Sequence, residues 1–163
     1  MTAARDWLRR AGRGTLEDGG EVGWSVAEGS RGRRWRWTIT DAGLMRHVGL
    51  VEVDTAGRFG RLELASPDGM LTLHPSDDRR ELHGNVVTVE GVRPLAFPAD
   101  GGIGVAIESD AFGTTVLGPG EGRHLLIGAS LEVVEDSSRP SRLSLDGRGI
   151  PVLRDGVDWP LAR

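Results

Sequence analysis

The sequence predicts an all-β fold, mainly antiparallel, in which a curved meander of short strands closes into a barrel or half-barrel. Apolar and polar residues alternate in short runs, with the period of strands that bury one face. Clusters of Asp, Gly, Pro and Ser separate these runs, and such clusters favour tight turns. An open sheet of about ten strands would expose unpaired backbone groups at its edges, so closure is expected. The predicted strands read EVGWSVAEG, RRWRWTIT, MRHVGLVEVD, RFGRLELAS, MLTLH, ELHGNVVTVE, IGVAIES, HLLIGASLEVVE, SRLSLD and IPVLRD.

The length of the chain sets its domain organisation. With 163 residues, the chain is long enough for one domain with a real core and too short for two ordinary ones. Residues 1–163 are therefore interpreted as a single barrel-like β domain. Within it, residues 1–14 form a lead-in, and residues 4–11 are predicted to form a short N-terminal helix with Trp7 and Leu8 on one side.

Charge and composition exclude several classes of protein. Arg supplies all 20 basic residues, 24 residues are acidic, and the formal net charge is −4. A protein that depended on neutralising phosphates would more often be basic, so no nucleic-acid partner is expected. The chain has no Cys, which excludes disulfides and thiolate metal sites.

The N-terminal segment MTAARDWLRRAGRG lacks an apolar signal core, and no run of about 18 apolar residues occurs. A cytoplasmic protein without an integral membrane segment is expected.

The segment SRGRRWRWTITDAG carries the strongest local pattern. Successive side chains of a strand point to opposite faces, which places Trp35 and Trp37 on one face and Arg34 and Arg36 on the other. Burying one Trp removes about 150–250 Å² from water, more stabilising than exposed arginine contacts. The pattern predicts a sheet wall with the tryptophans inside and the arginines outside. A functional alternative is that Arg34 and Arg36 hold an anion.

Two strands have faces suited to the lumen of a barrel. The first presents His47 beside Gly49 and Val51, and the second presents His83 and Asn85 before Val87 and Val89. The opposite face of the second strand, with Leu82, Gly84, Val86 and Thr88, is nearly as apolar. The candidate ligand-binding residues are Trp35, Trp37, His47, His83 and Asn85.

Asn85 is the only side-chain amide in the sequence. A buried amide without a partner costs about 1–3 kcal/mol, so Asn85 must be satisfied or exposed. One account is a hydrogen bond across the sheet, or exposure near the start of the strand. The other is that His83 and Asn85, with His47 or Trp37, form the polar end of an apolar pocket.

Turn chemistry predicts two hairpins with named positions. The segment SPDG predicts a hairpin at Pro67–Gly69, and LDGRG predicts one at Asp146–Gly149. Each should join adjacent antiparallel strands.

Enzymatic motifs are weak. His47, His74, His83 and His124 lack the tight spacing of metal ligands, so neither a metal nor a cofactor is expected. Asp77 and Asp78 form a pair that could divide acid and base roles in a cleft, but they lie in a polar loop typical of solvated turns. The segment GPGEG lacks the Lys and Ser/Thr of a phosphate-binding loop.

The order of these segments resembles a bacterial putative glycolipid-binding family, formerly a domain of unknown function. The resemblance spans roughly residues 20–163, and it implies a curved antiparallel sheet around an apolar cavity. No binding residue is transferred from the family. The segments that carry it are the aromatic and arginine strand, GLVEVD, RLELASPDG, LHGNVVTVEGVRPLAFP and LDGRGIPVLRDGVDWPLAR.

Together these observations predict non-catalytic binding of a hydrophobic or amphipathic small molecule, lipid-like or glycolipid-like, in a β-barrel cavity. One alternative is a structural or regulatory protein that binds a partner and fills its core with its own side chains. A second alternative is a hydrolase that uses His and carboxylates at the barrel mouth. An empty apolar cavity of a few hundred Å³ would favour ligand binding, whereas a filled interior would favour the partner-binding protein.

Overall fold

The computed structural model describes residues 8–100, 102–118, 122–138, 142, 143, 145 and 149. Eight strands form an antiparallel meander in which each strand pairs with the next one in the sequence. They are β1 Arg9–Thr15, β2 Glu21–Gly29, β3 Gly32–Asp41, β4 Leu44–Val53, β5 Phe59–Ser66, β6 Gly69–Pro75, β7 Glu81–Thr88 and β8 Gly91–Pro98.

A second, smaller sheet follows the meander. It contains β9 Gly104–Ile107, β10 His124–Ile127 and β11 Val133–Asp136. β10 pairs parallel with β9 and antiparallel with β11. The helix α1 Ala111–Leu117 lies in the segment between β9 and β10. HLLIGASLEVVE, predicted as one strand, is thus two strands with a turn between them.

The alternation in the aromatic and arginine segment is confirmed. Trp35 and Trp37 are 5% and 1% exposed, while Arg34 and Arg36 on the opposite face are exposed. The face that carries the tryptophans is called the inner face, and the other is called the outer face. The hairpin at Pro67–Gly69 is also confirmed, because Ser66 pairs with Gly69 between β5 and β6. The hairpin predicted at Asp146–Gly149 lies largely outside the described residues.

The predicted closure of the meander is not observed. Within the described residues, β1 and β8 end the strand order at opposite edges and do not pair with each other. One hydrophobic cluster joins the inner face to residues of the small sheet and α1, including Val105, Phe112 and Leu125. Since these elements cover the inner face, its apolar side chains are buried without closing a barrel. The antiparallel meander was predicted correctly; of the expected barrel or half-barrel, no closed barrel is found in the described residues.

The predicted N-terminal helix is also wrong where the structure describes it. Arg9, Arg10 and Ala11 belong to β1, which pairs with β2 along its whole length; residues 4–7 of the prediction lie outside the described part. Gly12 and Gly14 disfavour a helix in the same segment. Pairing along the edge of the sheet satisfies the backbone of this arginine-rich segment.

The only helix in the described residues is α1, and it is too short to cross a membrane. Its N-cap is Asp110, whose side chain accepts a hydrogen bond from the backbone of Gly113. Its C-cap is Gly118, which adopts a left-handed conformation with φ of 64° and donates to the carbonyl of Thr115. This combination of an Asp N-cap and a Gly C-cap explains why a segment of only seven residues is helical.

The faces of β7 are the reverse of the lumen prediction. Leu82 and Val86 lie on the inner face and are buried, whereas Asn85 is exposed on the outer face and His83 is half-buried there. Pairing with β6 explains the choice: Val86 lies opposite Leu71 and Gly84 opposite Leu73, and both leucines are buried on the inner face. Gly84 lies close to the Thr72 backbone, where a Cβ would overlap the carbonyl oxygen. The similar hydrophobicity of the two faces concealed this difference from the sequence pattern.

Candidate functional site

A buried carboxylate lies where the small sheet meets the large one. Asp110 follows β9, precedes α1 and is 1% exposed. Its Oδ1 accepts a hydrogen bond from the backbone N–H of Gly113 at 2.8 Å. Its Oδ2 accepts one from Trp37 Nε1 at 2.7 Å and lies 2.6 Å from His47 Nε2. A buried carboxyl group is tolerated only when its oxygens are hydrogen-bonded, and both oxygens of Asp110 have partners.

The large sheet positions the two ring partners of Asp110 on its inner face. β3 carries Trp37 and β4 carries His47, and the register places Trp37 opposite Gly49 and Ile39 opposite His47. A Cβ on Gly49 would overlap the Trp37 indole. A Cβ on Gly113 in α1 would lie 2.7 Å from Trp37 Cζ2. Both glycines therefore leave space for the indole, which reaches Asp110.

A cleft opens beside Asp110. Its volume is about 340 Å³, and it lies among the β1–β2 turn, the β9–α1 connection, β10 and residues 142 and 143. Apolar side chains supply part of the wall: Leu16, Ile107, Ala111, Leu126 and Leu143. The polar residues that line it are Glu17, Asp18, Glu108, Ser109, Asp110 and Arg142. The cleft therefore combines an apolar surface with both signs of charge.

Arg46 ties together two of the segments that form the cleft. Its guanidinium bonds Asp18 Oδ2 at 2.9 Å in the β1–β2 turn and the Ser109 carbonyl oxygen at 3.0 Å in the β9–α1 connection. It also lies 3.3 Å from Asp41 Oδ2. Arg46 is the extra residue where the β3–β4 register shifts next to Ile39 and Thr40. This irregularity gives the arginine a direction that regular alternation would not.

The structure brings together only part of the predicted ligand site. Trp37 and His47 meet at Asp110. Trp35 is buried nearby on the inner face and donates from Nε1 to the carbonyl oxygen of Gly149 at 2.8 Å. His83 and Asn85 lie on the outer face of β7, so the predicted polar end that joins them to His47 or Trp37 is wrong. Of the two accounts of Asn85, exposure is correct.

The environment of His83 is that of a surface residue. Its ring lies 5.8 Å from the ring of His74 between centroids, and its Nε2 lies 3.6 Å from Glu81 Oε2. His74 and His83 face each other across β6 and β7, as a hairpin between them allows. Within the described ranges, no three His, Asp or Glu side chains form a group that could hold a metal ion.

Asp110 is the central residue that sequence reasoning missed. The available signal in the sequence is local: Asp is favoured at a helix N-cap, where its side chain accepts a hydrogen bond from a backbone N–H two or three residues later. The helix it caps has only seven residues, too few to show a helical period in the sequence. Its partners lie 63 and 73 residues away, and no sequence spacing links them.

The geometry allows two roles for this group of residues. The three hydrogen bonds fasten the start of α1 to the inner face of the large sheet. They also fix the backbone segment at Asp110, which lines the cleft while His47 and Trp37 do not; the Asp110 carboxyl group itself is fully buried. A catalytic His must reach its substrate. His47 is 5% exposed, its Nε2 is directed at Asp110, and it does not line the cleft, so its ring does not face a molecule bound there.

Comparison with known proteins adds no identity to this geometry. No family model, curated protein or solved structure matches the chain. The resemblance to glycolipid-binding proteins stays a prediction.

Proposed function

We propose that the protein binds a small amphipathic molecule in the cleft beside Asp110 and does not change it chemically. The observation that carries the proposal is the cleft itself, about 340 Å³ with Leu16, Ile107, Leu126 and Leu143 in its wall. Binding pockets for small molecules measure about 300–1,000 Å³ and combine apolar walls with a few placed polar groups. The volume lies at the lower end of this range, which favours a small ligand or one part of a longer one.

The polar residues around the cleft suit a ligand with a polar end. Glu17 and Glu108 are exposed acceptors at the cleft, and Arg142 adds a cationic side chain to its lining. Asp110 differs from them, because its carboxyl group is fully buried and held by Trp37, His47 and Gly113, which orders this part of the cleft wall. A wall that is already ordered loses less entropy when a ligand binds.

This proposal replaces the binding site expected from the sequence. Trp35 and Trp37 do not line the cleft; both are buried in the hydrophobic core, Trp37 against Phe112 of α1. The binding of an amphipathic molecule is kept as the proposed function, and its location moves from a barrel interior to the junction of the two sheets.

The test is native mass spectrometry of the protein isolated from its own host, followed by the same measurement on a variant whose cleft is filled. Ala111→Trp places a large ring in the wall of the cleft. Ala96→Trp is the matched control, because Ala96 is exposed on β8, outside the cleft. We expect a bound small molecule with the wild type and the control, and at least a tenfold lower bound fraction with Ala111→Trp.

Two results would overturn the proposal. One is a folded wild-type protein that carries no small molecule, and the other is equal retention by both tryptophan variants. The first result would favour the alternative of a partner-binding protein with a filled core. The burial of Trp35 and Trp37 in the hydrophobic core favours that alternative.

A further inference from the structure

The outer face of β2 is the floor of a groove. Gly23, Ser25 and Ala27 occupy the outward positions of this strand. They pair with Thr38, Arg36 and Arg34 of β3 on one side and with Arg13, Ala11 and Arg9 of β1 on the other. Because the side chains of β2 are small, the longer side chains of β1 and β3 project beyond them on both sides. Two adjoining depressions follow this floor, one beside Gly23 and one beside Ser25 and Ala27.

Arginines dominate the sides of this groove. Arg9 and Arg13 project from β1, and Arg34 and Arg36 project from β3, all on the outer face and all exposed. We call these four residues and their floor the arginine groove.

The charge of the arginine groove is largely uncompensated. Arg34 Nη1 lies 3.7 Å from Glu52 Oε1, an ion pair with both partners well exposed to solvent. In the part of the chain that the structure describes, no ion pair involves Arg9, Arg13 or Arg36. Glu21 lies at one end of the groove. In a chain with a net charge of −4, four arginines on one small surface form a local region of opposite sign.

We propose that the arginine groove binds an extended acidic peptide segment of a partner protein. Residues i and i+2 of a strand lie about 6.6–6.8 Å apart on one face, which is the spacing of Arg34 and Arg36. An extended peptide with Asp or Glu at alternate positions has the same repeat. Guanidinium groups bind carboxylates through paired hydrogen bonds of fixed geometry. The groove therefore matches an acidic peptide in both charge and period.

The lateral dimension of the groove supports a single extended chain. β1 and β3 are separated by two strand spacings, about 10 Å in total, and the small side chains between them keep this space open. A single extended segment fits such a width. The partner's carboxylates would then face arginines on both sides, and its other side chains would point to solvent.

Other polyanions match the surface less well. Single-stranded nucleic acid is usually held by aromatic side chains on which bases stack, and the arginine groove is lined by none. Anionic membranes are bound through apolar side chains together with basic ones, whereas the floor of this groove is Gly, Ser and Ala. The groove thus offers positive charges spaced like the side chains of an extended peptide, and it lacks surfaces on which bases or acyl chains could pack.

The experiment measures fluorescence anisotropy of a labelled nine-residue peptide, the length of β2, with alternating Glu and Thr. A peptide with Gln in place of Glu reports binding that does not depend on charge. We expect the Glu peptide alone to bind, and its affinity to fall as salt rises from about 50 to about 300 mM.

Variants locate the binding surface. Arg9→Glu and Arg36→Glu should each weaken binding of the Glu peptide by at least tenfold. Arg61→Glu is the matched control, because it makes the same change in net charge on the outer face of β5, where Arg61 pairs with Glu63. The control should bind within about twofold of the wild type, and circular dichroism should verify that each variant is folded. Arg36→Gln provides a milder test if Arg36→Glu does not fold.

Several outcomes would overturn the proposal. The first is that the Glu peptide does not bind at about 1 mM. The second is that Arg61→Glu weakens binding as much as the groove variants do. The third is that oligothymidylate, tripolyphosphate or anionic vesicles bind more tightly than the Glu peptide. Peptide binding by the arginine groove does not depend on the cleft beside Asp110, so Ala111→Trp should leave it unchanged.

Discussion

The backbone of Gly49 lies directly against the indole ring of Trp37, and no space for a Cβ exists between them. The ring is 1% exposed and donates to Asp110, so it cannot move aside without breaking a buried hydrogen bond. We expect Gly49→Ala to lower the free energy of unfolding by about 2–3 kcal/mol, within the range for overpacking a core. Urea denaturation followed by tryptophan fluorescence measures this change.

Gly23→Ala is the control for this substitution. Gly23 lies on the outer face of β2, and a Cβ there would meet nothing within 4 Å. Its replacement should change the free energy of unfolding by less than about 0.5 kcal/mol. Equal effects at Gly23 and Gly49 would show that the loss of glycine itself, rather than the contact with Trp37, is responsible.

Replacing Asp110 by Asn should destabilise the protein strongly. The Asn side chain has one acceptor oxygen, whereas the carboxylate serves Trp37, His47 and the backbone N–H of Gly113. Buried donors left without a partner cost about 1–3 kcal/mol each, and at least one of the three donors would lose its partner. We expect a loss of about 3 kcal/mol in the free energy of unfolding, measured by chemical denaturation.

The surface carboxylate Asp68 provides the comparison for Asp110→Asn. Asp68 is exposed in the turn between β5 and β6, and Asp68→Asn should change stability by less than about 0.5 kcal/mol. A stability of Asp110→Asn within that same margin would show that the polar contacts do not hold α1 on the sheet.

The turn between β4 and β5 should show a dependence on pH. Backbone hydrogen bonding from Arg58 lowers the pKa of Asp54 from its usual value, and the Arg58 side chain and the Ala56 N–H add to this effect. Because the pKa of Asp54 is lower in the folded state, the carboxylate contributes stability above its usual pKa and loses that contribution as the pH falls through the lowered value.

Carbon NMR of the side-chain carboxyl group measures the titration of Asp54 directly. A midpoint at or above the usual range for Asp would contradict the expected direction. We expect Asp54→Asn to be less stable than the wild type at neutral pH and the difference to shrink on acidification. A difference that grows as the pH falls would show that the hydrogen bonds favour the neutral carboxyl group.

Sequence alternation was sufficient to predict most strands of the large sheet and the buried face of β3. Trp35 and Trp37 differ so strongly from Arg34 and Arg36 that only one orientation buries apolar area. On β7 the same reasoning failed, because Val87 is as apolar as Val86. The face of β7 follows from its pairing with β6, which places Val86 opposite Leu71 and Gly84 opposite Leu73 and which the β7 sequence alone does not contain.

The cover of the inner face could not be predicted, for a different reason. β9 has four residues and α1 has seven, so neither is long enough to establish a clear period. Without them, the inner face required a closed barrel, and the carboxylate of Asp110 had no partners. The candidate site became visible only when tertiary packing brought Asp110 to Trp37 and His47.

The order of strands in the large sheet has a consequence for how the chain folds. Every pairing from β1 to β8 joins neighbours in the sequence, so each hairpin closes a short loop at little entropic cost. The bonds from Asp110 instead join positions 63 and 73 residues apart. We expect the meander to assemble hairpin by hairpin, with α1 docking late. Interactions formed after the transition state mainly slow unfolding, so the contacts of Asp110 would determine how long the native state persists rather than how quickly it forms.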